Sequence, residues 1–158
     1  FEVEMQIMIT RRDLVVGIVS ITLALGAVAF AQSGSRPLMR SSVFQWAAMK
    51  VSPTKAGERR AVFDSQTKTL ERFTCHITTL DPGAIPHEGH KHPEEEMMIV
   101  REGTVEVVQN GVTNVVEAGG IIFCASNEMH GLRNAGTNRA TYFVLKWTPY
   151  DLKQRAAE

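Results

Sequence analysis

The chain has 158 residues, 44% of them hydrophobic, with 17 basic and 17 acidic residues for a formal charge of zero. That length suits one compact domain, and that apolar share supports a packed core and argues against intrinsic disorder. No basic stripe and no acidic run stands out, so neither nucleic-acid binding nor steering of a strongly charged partner is expected.

Residues 1–31 read as an export signal rather than as part of the fold. Arg11-Arg12 precede Leu14–Ala31, eighteen residues without a charge, and Ala29-Phe30-Ala31 closes the run. A charged n-region, an apolar h-region and an A-x-A site predict a signal-peptide helix cleaved after Ala31. The stretch Thr10-Arg11-Arg12-Asp13-Leu14-Val15-Val16 resembles the twin-arginine signal, with Leu14 where that signal prefers Phe and Val16 where it prefers Lys. Sec and twin-arginine export both fit. An uncleaved membrane anchor is the competing reading, because the apolar run is near the lower limit for a span. Met8 is the expected start, since Phe1–Gln6 adds two glutamates where a signal needs positive charge. The implied location is periplasmic or secreted, in a bacterium, with no stable membrane association after cleavage.

Gln32–Arg40 is polar with Gly and Pro and reads as a linker or loosely held arm. Val43–Val51 is a short apolar patch, and Ser52–Gly57 reads as a loop. Strands are expected from Arg59 onward. Ala61–Asp64 and Leu70–Leu80 are rich in β-branched and aromatic residues, and Asp81-Pro82-Gly83 turns the chain. Glu96–Arg101 is a strand ended by Glu102-Gly103. Thr104–Gln109 and Val112–Glu117 flank Asn110-Gly111, a strong two-residue hairpin signal. Ile121–Ala125, Gly131–Arg133 and Arg139–Trp147 complete about eight short strands. Asp151–Glu158 looks like a frayed helical end. The class is all-β, a sandwich or barrel. Cys75 and Cys124 could pair in an oxidising compartment, but each lies in an apolar strand where a thiol serves as a small core hydrophobe, and two buried thiols are the favoured expectation.

The segment His90-Lys91-His92-Pro93-Glu94-Glu95-Glu96 carries the chemistry. Residues two apart on an extended chain point the same way, so His90 and His92 present two imidazoles to one side. Glu96 has the same parity and leads an inward stripe through Met98 and Val100. A carboxylate there is costly unless paired or metal-bound, which favours Glu96 over Glu94 or Glu95 as a ligand.

This stretch resembles the cupin family. The first cupin motif reads here as Gly83, His90-Lys91-His92, Glu96 and Gly103, with one extra residue between Gly83 and His90. The second reads as Gly119, Ala125-Ser126-Asn127, His130 and Asn134, with Ala125 replacing Pro and Asn127 replacing Gly. Asn tolerates positive φ better than other non-glycine residues, so the turn can survive the change. The resemblance implies a single-domain type-2 cupin, a double-stranded β-helix or jelly-roll barrel. Its expected limits are residues 58–148, after an arm at 32–57 and before a tail at 149–158. It also implies that His90, His92, Glu96 and His130 bind a divalent transition metal. Mixed N/O ligation suits Fe, Mn, Ni, Zn or Cu and does not choose among them. Twin-arginine export of a folded protein would favour Fe or Mn chosen in the cytoplasm.

Two functions fit. The first is a metal-dependent dioxygenase, lyase or isomerase acting on a small organic molecule, with His87 as the candidate catalytic acid or base. The second is a non-catalytic module that captures a small ligand or a metal. Titratable groups converging in an open pocket would favour the enzyme. Among the neighbours, Asn134 is expected to support the turn after His130. His76 is expected at the surface or in a strand-pair hydrogen bond. Met97 and Met98 are expected in the core. Arg133, Tyr142 and Trp147 are candidate substrate contacts. Homodimers paired through edge strands are common in the family.

Overall fold

A computed structural model describes residues 36–150. The expected signal peptide at 1–31 and the expected helical end at 151–158 lie outside the described residues. Nine strands follow a short 3-10 turn at Trp46–Ala48: β1 (Val51–Thr54), β2 (Gly57–Ser65), β3 (Leu70–Leu80), β4 (Glu95–Glu102), β5 (Thr104–Gln109), β6 (Val112–Glu117), β7 (Ile121–Cys124), β8 (His130–Asn134) and β9 (Ala140–Pro149). They form a six-stranded sheet in the order β1-β2-β3-β9-β4-β7 and a three-stranded sheet in the order β6-β5-β8. Every strand pairing is antiparallel. This is the double-stranded β-helix anticipated above.

Alternation builds the interior. Leu80, Met98, Val100, Tyr142 and Val144 of the larger sheet meet Val105, Val107 and Leu132 of the smaller one in a single buried cluster. Register then fixes which polar residues share that inner face. Glu96, Met98 and Val100 of β4 lie opposite Lys146, Val144 and Tyr142 of β9. The same β9 residues lie opposite Thr74, His76 and Thr78 of β3, and Arg59 of β2 lies opposite Thr78. The hairpin at Asn110-Gly111 forms as expected, with φ of 48° and 83°, the left-handed pair that a type I′ turn requires.

Two segments differ from the sequence reading. Val51–Thr54 is a strand rather than a loop, and it extends the sheet into the segment read as an arm. All four of its residues are exposed, so it carries no alternation for a pattern to reveal. Pro53 sits there without conflict because an edge strand leaves one row of N–H groups unpaired. The arm itself is tied down where it is described. Met39 N donates to Gln66 O at 2.8 Å, and the Arg36 guanidinium reaches Asp64 at 3.0 Å. Phe44 packs on Phe63, which packs on Phe73. The Trp46 ring receives the guanidinium of Arg60 at 4.6 Å and that of Arg101 at 3.7 Å.

Candidate metal centre

The loop between β3 and β4 is laced to the start of β8. His90 and His130 exchange two backbone hydrogen bonds, each 2.9 Å, so the first and second motifs meet as an isolated antiparallel bridge. Asn127, at φ 60°, donates its N–H to the carbonyl of His92 at 2.8 Å. Ser126 Oγ donates to the carbonyl of Pro93 at 2.7 Å. The left-handed turn therefore survives replacement of glycine by asparagine, and it clasps the His-x-His segment directly.

This clasp brings three imidazoles into a near-equilateral triangle. Ring centroids are 4.8 Å apart for His90 and His130, 5.0 Å for His92 and His130, and 5.3 Å for His90 and His92. Glu96, at the start of β4, completes the group. Its carboxylate lies 3.4 Å from His92 Nε2 and 3.9 Å from His130 Nε2. Donor atoms on one ion at about 2.1 Å are separated by roughly 3–3.5 Å.

Tautomers follow from the hydrogen bonds. Nδ1 of His92 lies 2.9 Å from the carbonyl of Glu94, and Nδ1 of His130 lies 2.9 Å from the carbonyl of Glu128. A carbonyl only accepts, so each Nδ1 carries the proton and each Nε2 keeps its lone pair. Those two Nε2 atoms, with Nδ1 of His90, are buried without a hydrogen-bond partner. Each such orphan costs about 1–3 kcal/mol. Three of them facing one another beside a buried carboxylate fit a divalent cation, which would accept all three lone pairs. Burial, reinforced by the charges His87, His130 and His92 can carry, holds His90 below the usual histidine range, keeping its ring neutral for ligation.

A cavity of about 220 Å³ opens beside the triangle. His87 lies in its wall, its ring edge-on to His90 at 4.5 Å and its Nδ1 3.0 Å from the carbonyl of Glu88. Tyr142 and Thr78 add hydroxyls, and burial raises the Tyr142 phenol well above its ordinary value, so it stays protonated. Of the three candidate substrate contacts, only Tyr142 faces this cavity. Arg133 forms a bidentate pair with Glu106 on the outer surface, at 2.7 Å for both bonds. Trp147 donates to Glu95 and stacks on Phe123.

His76 is a correction. It lines the cavity rather than the surface, and burial together with Arg59, Lys146 and His87 pushes its pKa down to about 4. Its even parity with Thr78 and Leu80 was the signal that could have placed it, once the inner face of β3 was known. Arg59 and Lys146 were likewise missed, because a basic residue in an alternating strand reads as its solvent face. Met98 is core as expected, whereas Met97 alternates to the other face of β4 and is only partly buried. Both cysteines are buried free thiols, and burial raises each pKa to about 11. Cys124 Sγ lies close to Glu96 and His130.

Two facing antiparallel sheets with a His-x-His…Glu…His cluster at one end define a cupin-type barrel. Residues 76–146 match the family model Cupin_2, a cupin domain. Solved structures of similar fold include the cupin domain of Cnp3 from Schizosaccharomyces pombe, with 13% identity, 75% of this chain and 82% of that chain covered, and a TM-score of 0.63. KdgF from Halomonas sp. is similar with 17% identity, coverage of 72% and 99%, and a TM-score of 0.58. A predicted oxalate decarboxylase from Thermotoga maritima has 20% identity, coverage of 68% and 99%, and a TM-score of 0.55. No curated protein matches the chain.

Proposed function

We propose that this is an exported, metal-dependent cupin enzyme acting on a small organic molecule. His90, His92, Glu96 and His130 would hold a divalent transition metal, and His87 would act as the acid or base. The observation that carries this is the convergence of three buried, unpaired imidazole nitrogens beside the Glu96 carboxylate. A bound cation supplies Lewis acidity and open positions that polarise a substrate oxygen.

The chain's own residues supply the rest. The bond from His87 Nδ1 to the carbonyl of Glu88 leaves Nε2 as the basic nitrogen. A base beside the ligands suits proton abstraction next to a carbonyl, a step shared by lyases and isomerases. Leu80, Met98, Leu132 and Val144 exclude water along the apolar side of the cavity. Titratable groups beyond the four ligands, namely His76, His87, Tyr142 and Lys146, line that cavity and favour the enzyme over a non-catalytic module. The structural neighbours named for a decarboxylase and, from Silicibacter pomeroyi, for a sugar phosphate isomerase fit small-molecule chemistry on this fold. The charged and apolar pattern of residues 11–31 supports export to the periplasm or beyond.

Elemental analysis of the purified protein and of His92→Ala tests the centre. About one metal per chain is expected in the parent, with at least a tenfold loss of affinity in the variant. Equal metal content in the two proteins would overturn the assignment.

A further inference from the structure

Basic residues outside the proposed ligand set also line the cavity. Arg59 on β2, His76 on β3 and Lys146 on β9 all line the cavity, and the same three residues border a second cavity of about 320 Å³. They come from three adjacent strands, β2-β3-β9, and share the inner face of that sheet. Neither Arg59 nor Lys146 forms an ion pair among the described residues. Other surface cations do: Arg72 with Asp64, Arg133 with Glu106, Arg139 with Glu58 and Asp81. Glu96 is the one carboxylate lining the metal cavity among the described residues, and its oxygens face His92 and His130.

Arg59 is exposed and Lys146 half-buried, so both charges remain open to an anion that enters the cavity. Burial first, and then the charges of Arg59, Lys146 and His87, hold His76 below the usual histidine range.

We propose that the substrate of this centre is a small carboxylate, its anionic group held by Arg59 and Lys146 while its reacting end faces His90, His130 and Glu96. This rests on the metal-enzyme reading and adds the substrate class. A planar guanidinium pairs with a carboxylate through two parallel hydrogen bonds, and the ammonium adds a point charge. A phosphate site would bring converging backbone N–H groups from a glycine-rich loop or a helix end, and the lining residues come chiefly from strands that spend those groups on sheet pairing. The apolar side of the cavity fits the carbon chain between the two ends.

The test titrates the metal-loaded protein with succinate, with the neutral diamide succinamide and with glycerol 3-phosphate, following heat by calorimetry. The parent should prefer succinate over succinamide by tenfold or more. The double variant Arg59→Gln, Lys146→Gln should lose that preference while keeping its metal and its thermal midpoint, since both side chains reach solvent. Arg59→Lys should retain part of it. An unchanged preference in a double variant that still carries metal would overturn the proposal and leave the centre standing. Tighter binding of glycerol 3-phosphate than of succinate would overturn the carboxylate assignment. Metal content, read in the same samples and in His92→Ala, reports separately on the centre itself.

Discussion

Outside the ligand set, His76 makes the stability of the barrel depend on pH. Burial depresses its basicity most, and the charges of Arg59 and Lys146 on neighbouring strands and of His87 in the cavity wall add to that effect. Its folded pKa of about 4 lies below the ordinary histidine value of 6.5, so the fold binds the neutral ring. Stability from this group is therefore intact above pH 6.5. It falls as the unfolded chain takes up a proton, and the loss is complete near pH 4. Replacing His76 with Gln should remove that loss. Urea midpoints of parent and His76→Gln, both metal-loaded, should diverge between pH 7 and pH 4, the parent losing about 1–3 kcal/mol more. Parallel pH profiles would show that the ring is solvated and free to charge. The same residue shows where sequence alone stops. The parity of His90, His92 and Glu96 was readable from spacing, because ligand-type residues announce themselves. The parity of Arg59, His76 and Lys146 was readable too, but only the fold says which face of each strand is inside.

At the scale of elements, the site depends on loops held by specific polar contacts. Asn134 ends β8 fully buried, its amide nitrogen within 3.1 Å of the carbonyls of Leu80 and Asp81 and 2.8 Å from that of Asn138. Its oxygen accepts the N–H of Gly136 at 2.9 Å. One side chain thus pins the end of β3 to the turn between β8 and β9. Asn134→Ala should cost about 2–4 kcal/mol, because the carbonyls it serves are left buried without donors. A chemical-denaturation midpoint within error of the parent would refute this. Asn134 was legible as the last residue of the second motif, and its role as support for the turn was expected. The hairpin at Asn110-Gly111 and the full extents of β3, β5 and β6 were equally legible, since turn chemistry and alternation agree there. Val51–Thr54 was not, because an edge strand exposed on all four residues and interrupted by Pro53 resembles a loop in every local respect.

For the whole molecule, the four proposed ligands join parts of the barrel that packing, the His90–His130 bridge and the contacts of Asn127 and Ser126 also hold. Glu96 belongs to the six-stranded sheet, His130 to the three-stranded sheet, and His90 and His92 to the loop that passes between them. An ion at that point would cross-link the two sheets at the open end, where the cavity interrupts the apolar core. It would also relieve three unpaired nitrogens that the metal-free barrel must tolerate. Binding to the folded state alone stabilises by about 4 kcal/mol at a free metal concentration a thousandfold above Kd. A barrel of this size gains roughly 3–5 °C in thermal midpoint per kcal/mol. Stripping the protein with a chelator should therefore lower its midpoint by about 10–20 °C, and adding back Mn, Ni or Zn should restore it. His130→Ala should abolish the response while Arg59→Gln leaves it intact, since the first joins the sheets through the ion and the second only faces the cavity. Scanning calorimetry of the three proteins, with and without metal, decides the matter. A midpoint indifferent to metal in the parent would mean that the triangle of imidazoles is held by the clasp of Asn127 and Ser126 on the loop, and owes nothing to an ion.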